Sequence, residues 1–120
     1  MPQSVVVVGV ERAKDMRDFV EFTYRLYADD PRWVPPLRSD EKSKLDPRAH
    51  PFWGHAERKL FVARRAGRTV GRIVAIHDRL WEETHGERAA YWGWFECEND
   101  AEAAASLFDA AAAWAKARGC

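Results

Sequence analysis

The sequence predicts an α+β domain in which an antiparallel sheet is covered by helices, and three observations support this class. Short runs rich in β-branched and aromatic residues crowd into residues 59–97, and such runs joined by glycine turns are typical of a β-meander. The middle of each run is apolar at consecutive positions, so both faces of the sheet are expected to be covered. Segments before and after the runs have the apolar spacing of helices.

Length and composition exclude several other classes. The 120 residues suffice for one domain, and 19 basic side chains balance 19 acidic ones. Balanced charge gives no general attraction to nucleic acid or to anionic membranes. No segment approaches the roughly 18 consecutive apolar residues of a membrane span. The two cysteines make no disulfide framework, which favours a reducing compartment and predicts a cytoplasmic protein.

The N-terminal third is expected to hold one strand and two helices. Residues 5–10 are nearly all β-branched and apolar, as in a buried strand. Apolar residues then recur at helical spacing over residues 16–26, and Pro31 follows the end of this helix. Phe22 and Tyr24 lie off the apolar stripe, so this helix is expected to contact the chain on a second side. Residues 39–44 are predicted to form a short polar helix.

The remaining elements are a proline-rich loop, the meander and a final helix. Residues 46–54 read as a loop, the strands follow at 60–63, 70–76 and 90–95, and residues 77–88 are expected to form a charged loop. The final helix is alanine-rich, with Asn99 as its expected N-cap and Glu102 three residues later. Gly119 fits the position just past the end of this helix.

Four sequence segments carry a resemblance to a known family. The first is Phe19 to Pro36, a helix ending Leu-Tyr-x-Asp-Asp-Pro-Arg-Trp-Val-Pro-Pro-Leu. The others are His-Pro-Phe-Trp-Gly-His-Ala at 50–56, Gly-Arg-Ile-Val-Ala at 71–75 and Gly-Trp-Phe-Glu-Cys-Glu-Asn-Asp at 93–100. Together with the order of the elements, they resemble the N-terminal portion of bacterial proteins of the GNAT superfamily, the acyl-CoA-dependent N-acyltransferases.

The resemblance implies a fold and a reaction. Residues 1–120 are expected to be a single GNAT-like domain segment, the antiparallel meander plus an N-terminal strand, with the C-terminal half of the fold absent. The implied activity transfers an acyl group from acyl-CoA to a small-molecule amine. The implied site residues fall into three groups: Glu96 and Glu98 as catalytic bases, Phe95, Cys97 and Asn99 against acetyl-CoA, and Trp33, Phe52 and Trp53 against the amine.

One segment departs from the family pattern. The family holds the pyrophosphate of acyl-CoA in a glycine-containing turn at a helix N-terminus, where free amides and the helix dipole attract anions. Residues 98–104 contain no glycine and three acids, which would repel a pyrophosphate. An alternative is therefore a non-catalytic GNAT-like lobe that acts in dimerisation or scaffolding, either as a homodimer or with a missing C-terminal half.

Other candidate features have ordinary structural explanations. Basic residues on the first hairpin, from Arg58 to Arg72, suggest a weak alternative of nucleic-acid binding, but the net neutrality of the chain argues against it. The four histidines lack carboxylates or cysteines at usual ligand spacings, so no metal site is predicted. Cys97 is expected to be a small buried hydrophobe. Gly71 and Gly93, inside strands, indicate either a close approach of pantetheine or relief of crowding.

Overall fold

The computed structural model describes residues 4–120, and the predicted α+β class is confirmed. The elements in chain order are β1 (Val5–Gly9), α1 (Ala13–Leu26), α2 (Arg38–Leu45), a 3-10 turn (Pro51–Gly54), β2 (Ala56–Arg65), β3 (Arg68–Asp78), α3 (Arg79–His85), β4 (Tyr91–Cys97) and α4 (Ala101–Ala117). No helix in residues 4–120 combines the length and the apolar character that crossing a membrane requires.

The four strands form one antiparallel sheet in the order β1-β2-β3-β4. β2 and β3 are joined by a tight turn at Ala66 and Gly67, whose φ angles of 54° and 78° are both positive. Two such residues in a row match the right-handed twist of the strands they connect. β1 and β4 lie at the two edges of this sheet, so the outer edge of β4 is unpaired among the described residues.

Helices cover both faces of the sheet, as the apolar runs predict. On one face, here called the α1 face, Phe19 and Val20 of α1 pack with Val62 and Val74. On the other, the α4 face, Leu107 of α4 packs in a cluster with further strand residues, among them Ala63, Ile73 and Ala75. Phe22 is also buried, which confirms the expected second contact side of α1.

β4 contains a bulge that changes which side chains face α1. The register between β3 and β4 shifts between Arg72 and Val74, and Trp94 has a φ of 54°. An extra residue in one strand bends it and redirects a side chain. As a result Trp94 packs against the α1-face cluster, whereas Phe95 packs on the α4 face.

Two local predictions were wrong. Residues 77–88, expected to be a charged loop, contain α3, which begins because the Asp78 carboxylate accepts hydrogen bonds from the amides of Leu80 and Trp81. The N-cap of α4 is Asp100, not Asn99, and its carboxylate accepts from the amide of Ala103 at 3.1 Å. The expected position of Gly119, past the end of α4 with positive φ, is confirmed.

Candidate functional site

Tyr27 and Glu96 form the polar centre of the candidate site. The hydroxyl of Tyr27, at the end of α1, donates a hydrogen bond to Oε2 of Glu96 near the end of β4. No hydrogen bond to the other carboxylate oxygen, Oε1, is found in residues 4–120. The bond to the carboxylate raises the pKa of Tyr27, and burial raises it further. The phenol therefore stays a neutral donor, and Oε1 remains able to accept a proton.

Arg72 lies directly opposite Glu96 in the β3–β4 register. Its side chain is buried, and its guanidinium donates to the carbonyl of Trp94 at 3.2 Å and to that of Phe19 at 3.0 Å. Burial lowers the pKa of Arg72, and the nearby charge of Glu96 opposes that effect. Arg72 thus connects the bulge of β4 to the middle of α1 and places a positive charge near Glu96.

Trp33 belongs to the same site. Its ring centroid lies 5.5 Å from that of Tyr27 and 5.5 Å from that of Tyr24. The hydroxyl of Tyr24 donates to the carbonyl of Pro36 at 2.5 Å, which fixes the proline segment against α1. The structure therefore brings a residue expected to contact the amine next to the partner of Glu96.

An apolar groove lies on the same α1 face of the sheet, beside β4. It has a volume of about 320 Å³ and is lined mainly by Phe52, Trp53, Ile76, Tyr91 and Trp94; we call it the Trp94 groove. Phe52 and Trp53 come from the 3-10 turn and meet edge to face, with centroids 4.9 Å apart. Two further residues expected to contact the amine are thus on the face that carries Glu96.

The other predicted site residues lie elsewhere. Glu98 forms ion pairs with Arg68 at 2.8 Å and Arg25 at 3.2 Å, and so lies outside the pair of Tyr27 and Glu96. Phe95 and Cys97 pack on the α4 face. Burial raises the pKa of the Cys97 thiol, and neighbouring carboxylates raise it further, so this cysteine is a poor nucleophile.

The N-terminus of α4 does not fit the pyrophosphate of acyl-CoA. Asp100 already accepts from the first-turn amide of Ala103. The guanidinium of Arg65 donates two hydrogen bonds of 3.0 Å to the same carboxylate and a third, of 2.8 Å, to Glu102. Asn99 is exposed beside these acids. The amide that an anion would use is occupied and carboxylates surround it, so no phosphate cradle is present in this turn.

The basic hairpin is neutralised by partners within the chain. Arg64 contacts Asp15 at 2.9 Å and Asp18 at 2.7 Å, and Lys59 contacts Glu11 at 3.3 Å. Arg65 and Arg68 also pair with acids, while Arg72 is buried. The hairpin therefore lacks the free positive stripe that binding to nucleic acid requires.

A three-residue group that the sequence spacing did not reveal lies at the far end of β3. Atoms of His77, Glu82 and Cys120 lie within 4.8 Å of one another. However, Nε2 of His77 is 2.5 Å from Glu82, and its Nδ1 is 3.3 Å from Nε of Arg118. Both ring nitrogens of His77 thus have partners within the chain, and the positive charge of the Arg118 guanidinium beside them opposes binding of a metal cation.

Sequence reasoning missed the two residues that organise the site, Tyr27 and Arg72. Both lie inside segments that carried the family resemblance. The sequence pattern assigns no role to Tyr27 and places Arg72 only in the basic hairpin. A charged residue within a long apolar run, as at Arg72, was the available signal, since a charge in a covered strand needs buried partners.

Two curated proteins are similar to most of the chain. The chain is 39% identical over 114 residues to a bacterial ceramide synthase of Caulobacter vibrioides (strain NA1000 / CB15N), covering 94% of the chain and 30% of that protein. It is 37% identical over 105 residues to Protein YghO of Escherichia coli (strain K12), covering 88% of the chain and 27% of that protein. The chain therefore spans less than a third of the length of these relatives. No protein-family model matches the chain, and no solved structure does.

Proposed function

We propose that this chain forms the amine-binding part of a GNAT-like N-acyltransferase that acylates a long-chain amine. The observation that carries the proposal is Glu96, held by Tyr27 at the end of β4, on the sheet face that also carries an apolar groove. Similarity to a protein named bacterial ceramide synthase supports it. A ceramide is the amide of a long-chain amino alcohol, so its synthesis is the acylation of an amine.

In this proposal Glu96 acts as the general base. An ammonium must lose a proton before its nitrogen has a lone pair with which to attack an acyl carbonyl. Oε1 of Glu96 accepts that proton while Tyr27 keeps its hydrogen bond to Oε2. The carboxylate becomes a neutral acid, and the amine becomes a neutral nucleophile. The hydrogen bond from Tyr27 keeps the carboxylate in place throughout.

The acyl donor is expected to bind mainly to polypeptide outside this segment. The capped and acid-rich start of α4 supports this placement. The matched relatives are more than three times as long as the matched segment, so they contain ample further chain for that purpose. We propose that residues 1–120 supply the acceptor side of a site that the remainder completes.

A chimera tests this function. Residues 1–120 replace the matching segment of the Caulobacter ceramide synthase, and the purified chimera receives sphinganine and an acyl-CoA. Mass spectrometry then follows formation of the N-acyl product. We expect amide formation that requires both substrates. A chimera that folds, as judged by circular dichroism, and yields no amide would contradict the proposal.

A second candidate is a non-catalytic lobe that dimerises. The unpaired edge of β4 and the exposure of Trp92 there favour it. Sedimentation equilibrium of the 120-residue chain tests this candidate. A dimer that Trp92→Ser dissociates would support it, and a monomer across the micromolar range would contradict it.

A further inference from the structure

We propose that the Trp94 groove binds the hydrocarbon chain of the amine substrate, with the ammonium group at Glu96. This inference deepens the function proposed above and rests on it. It assigns the groove an occupant of stated chemistry, a saturated alkyl chain that begins close to the amino group. Three features of the groove carry the assignment: its polar atoms, its position and its size.

Three of the polar atoms at the groove already have partners within the chain. The indole N–H of Trp53 donates to the carbonyl of Lys44 at 2.8 Å. Nδ1 of His50 accepts from the amide of Phe52 at 3.3 Å, and the ammonium of Lys44 contacts Glu41 at 3.3 Å. No carboxylate lines the groove. An occupant would meet mostly aromatic and aliphatic surface, which a hydrocarbon matches and a charged group does not.

One end of the groove is formed by Trp94, a neighbour of Glu96 on β4. Trp94 and Glu96 are two residues apart on β4. Both side chains face α1, because Trp94 packs in the α1-face cluster and Glu96 binds Tyr27. The bulge makes this possible by turning Trp94 toward α1. Along β4 the groove extends from Trp94 to Tyr91, so an alkyl chain whose amino group lies at Glu96 would enter the groove at Trp94.

The size of the groove fits part of a long chain. Its volume of about 320 Å³ lies at the lower end of the roughly 300–1,000 Å³ of small-molecule sites. The groove is open on one side, where Tyr91 is 42% exposed. It therefore covers one stretch of a chain rather than enclosing a whole lipid.

The two faces of β4 supply a matched pair of variants. Tyr91 lines the Trp94 groove. Its neighbour Trp92 points to the α4 face, where its ring lies 5.0 Å from that of Phe108. Both residues are exposed, Trp92 at 54%, so Tyr91→Ser and Trp92→Ser are expected to fold. Only the first removes a wall of the groove.

The test titrates n-butylamine, n-octylamine and n-dodecylamine, each below its micelle concentration, into the 120-residue chain by calorimetry. We expect the affinity to rise about fourfold for each methylene that the groove takes up. Tyr91→Ser is expected to lower dodecylamine affinity about fivefold, the loss that about 40 Å² of apolar contact gives, and Trp92→Ser to leave it unchanged. In proton–nitrogen spectra the indole signals of Trp53 and Trp94 should shift, and that of Trp114 should not.

Three outcomes would overturn the inference. Affinity that does not increase with chain length removes the hydrocarbon site. Affinity lost in Trp92→Ser and kept in Tyr91→Ser places the chain on the other face. The third outcome combines two results: none of the amines binds the 120-residue chain, and Tyr91→Ser lowers the melting temperature of the chimera. In that case other polypeptide, and not an alkyl chain, covers the groove. Chain-length-dependent binding without amide formation by the chimera would instead contradict only the proposed function.

Discussion

The hydroxyl of Tyr27 donates a hydrogen bond to Oε2 of Glu96, which lies 69 residues further along the chain. This contact joins the end of α1 to the end of β4, the edge strand of the sheet. It therefore ties the carboxylate proposed as the base to the helix that precedes Trp33. The same pair offers a first prediction, because removing one hydroxyl leaves the rest of both side chains in place.

Tyr27→Phe is expected to lower the free energy of unfolding by about 1.5 kcal/mol, since a hydrogen bond to a charged group contributes about that much. Urea unfolding of the 120-residue chain measures the loss. Tyr24→Phe serves as comparison, because Tyr24 donates to the neutral carbonyl of Pro36 and is expected to lose about 1 kcal/mol. Equal stability of Tyr27→Phe and the parent chain would mean that the contact contributes nothing.

Arg72→Met is expected to destabilise the chain by about 2–4 kcal/mol, because the buried carbonyl oxygen of Phe19 and the partly buried one of Trp94 each lose a donor. The loss should also relax the bulge, which shifts the amide signals of β4. Arg68→Met is the matched control, because the side chain of Arg68 is 57% exposed, and exposed ion pairs contribute less than about 1 kcal/mol. Similar losses in the two variants would contradict the assigned role.

Gly71→Ala should destabilise the sheet where Gly93→Ala does not. A Cβ at position 71 would lie 2.8 Å from Cδ1 of Leu107 and 3.0 Å from Sγ of Cys97. At position 93 the nearest such atom is Cδ1 of Ile76 at 3.6 Å, an ordinary contact. We expect a loss of about 1–3 kcal/mol for Gly71→Ala and little change for Gly93→Ala. Urea denaturation compares the two, and a reversed order would refute the crowding of β3 against α4.

Asp15 should make stability depend on pH in acid. The Arg64 guanidinium, with a contribution from Arg12, holds the pKa of this carboxyl far below its usual value of about 3.9. The unfolded chain therefore takes up this proton first, and the stabilisation is complete above about pH 4 and is lost as the pH falls further. Asp15→Asn should flatten the curve between pH 4 and 2, measured by urea unfolding. Asp29→Asn, on an exposed residue, should leave its shape unchanged, and parallel curves for all three proteins would count against the ion pair.

Apolar patterning was sufficient to predict the α+β class, the three-strand meander and the helices on both faces. The adjacent apolar pairs in β2 and β3 carried this prediction, since strands covered on both sides need apolar residues at consecutive positions. The final helix, α4, was predictable from its high alanine content, because alanine has the highest helix propensity. Its N-cap was misplaced by one residue, because Asn99 and Asp100 both suit that position.

The site was only partly predictable, because it depends on contacts between distant parts of the chain. Trp33, Phe52, Trp53 and Glu96 were named through the family resemblance, and the fold brings them to one face. Nothing local in the sequence shows that Tyr27 reaches Glu96 or that the bulge turns Trp94 toward α1. The contact of Tyr27 with Glu96 follows from the packing of α1 on the sheet, and the orientation of Trp94 follows from the register of β3 and β4. Neither is encoded locally in a single sequence. The helix α3 was missed because its capping residue, Asp78, lies at the end of a strand.

The most direct measurement is the rate of amide formation by the chimera with Glu96→Gln. Glutamine keeps the size of the side chain and its contact with Tyr27 but cannot accept the ammonium proton. We predict a loss of at least about 100-fold in kcat, the range of general-base catalysis, with a melting temperature close to that of the parent. Glu87→Gln, at an exposed loop position, should keep the parent rate. A Glu96→Gln chimera as fast as its parent would contradict the claim that this carboxylate is the base.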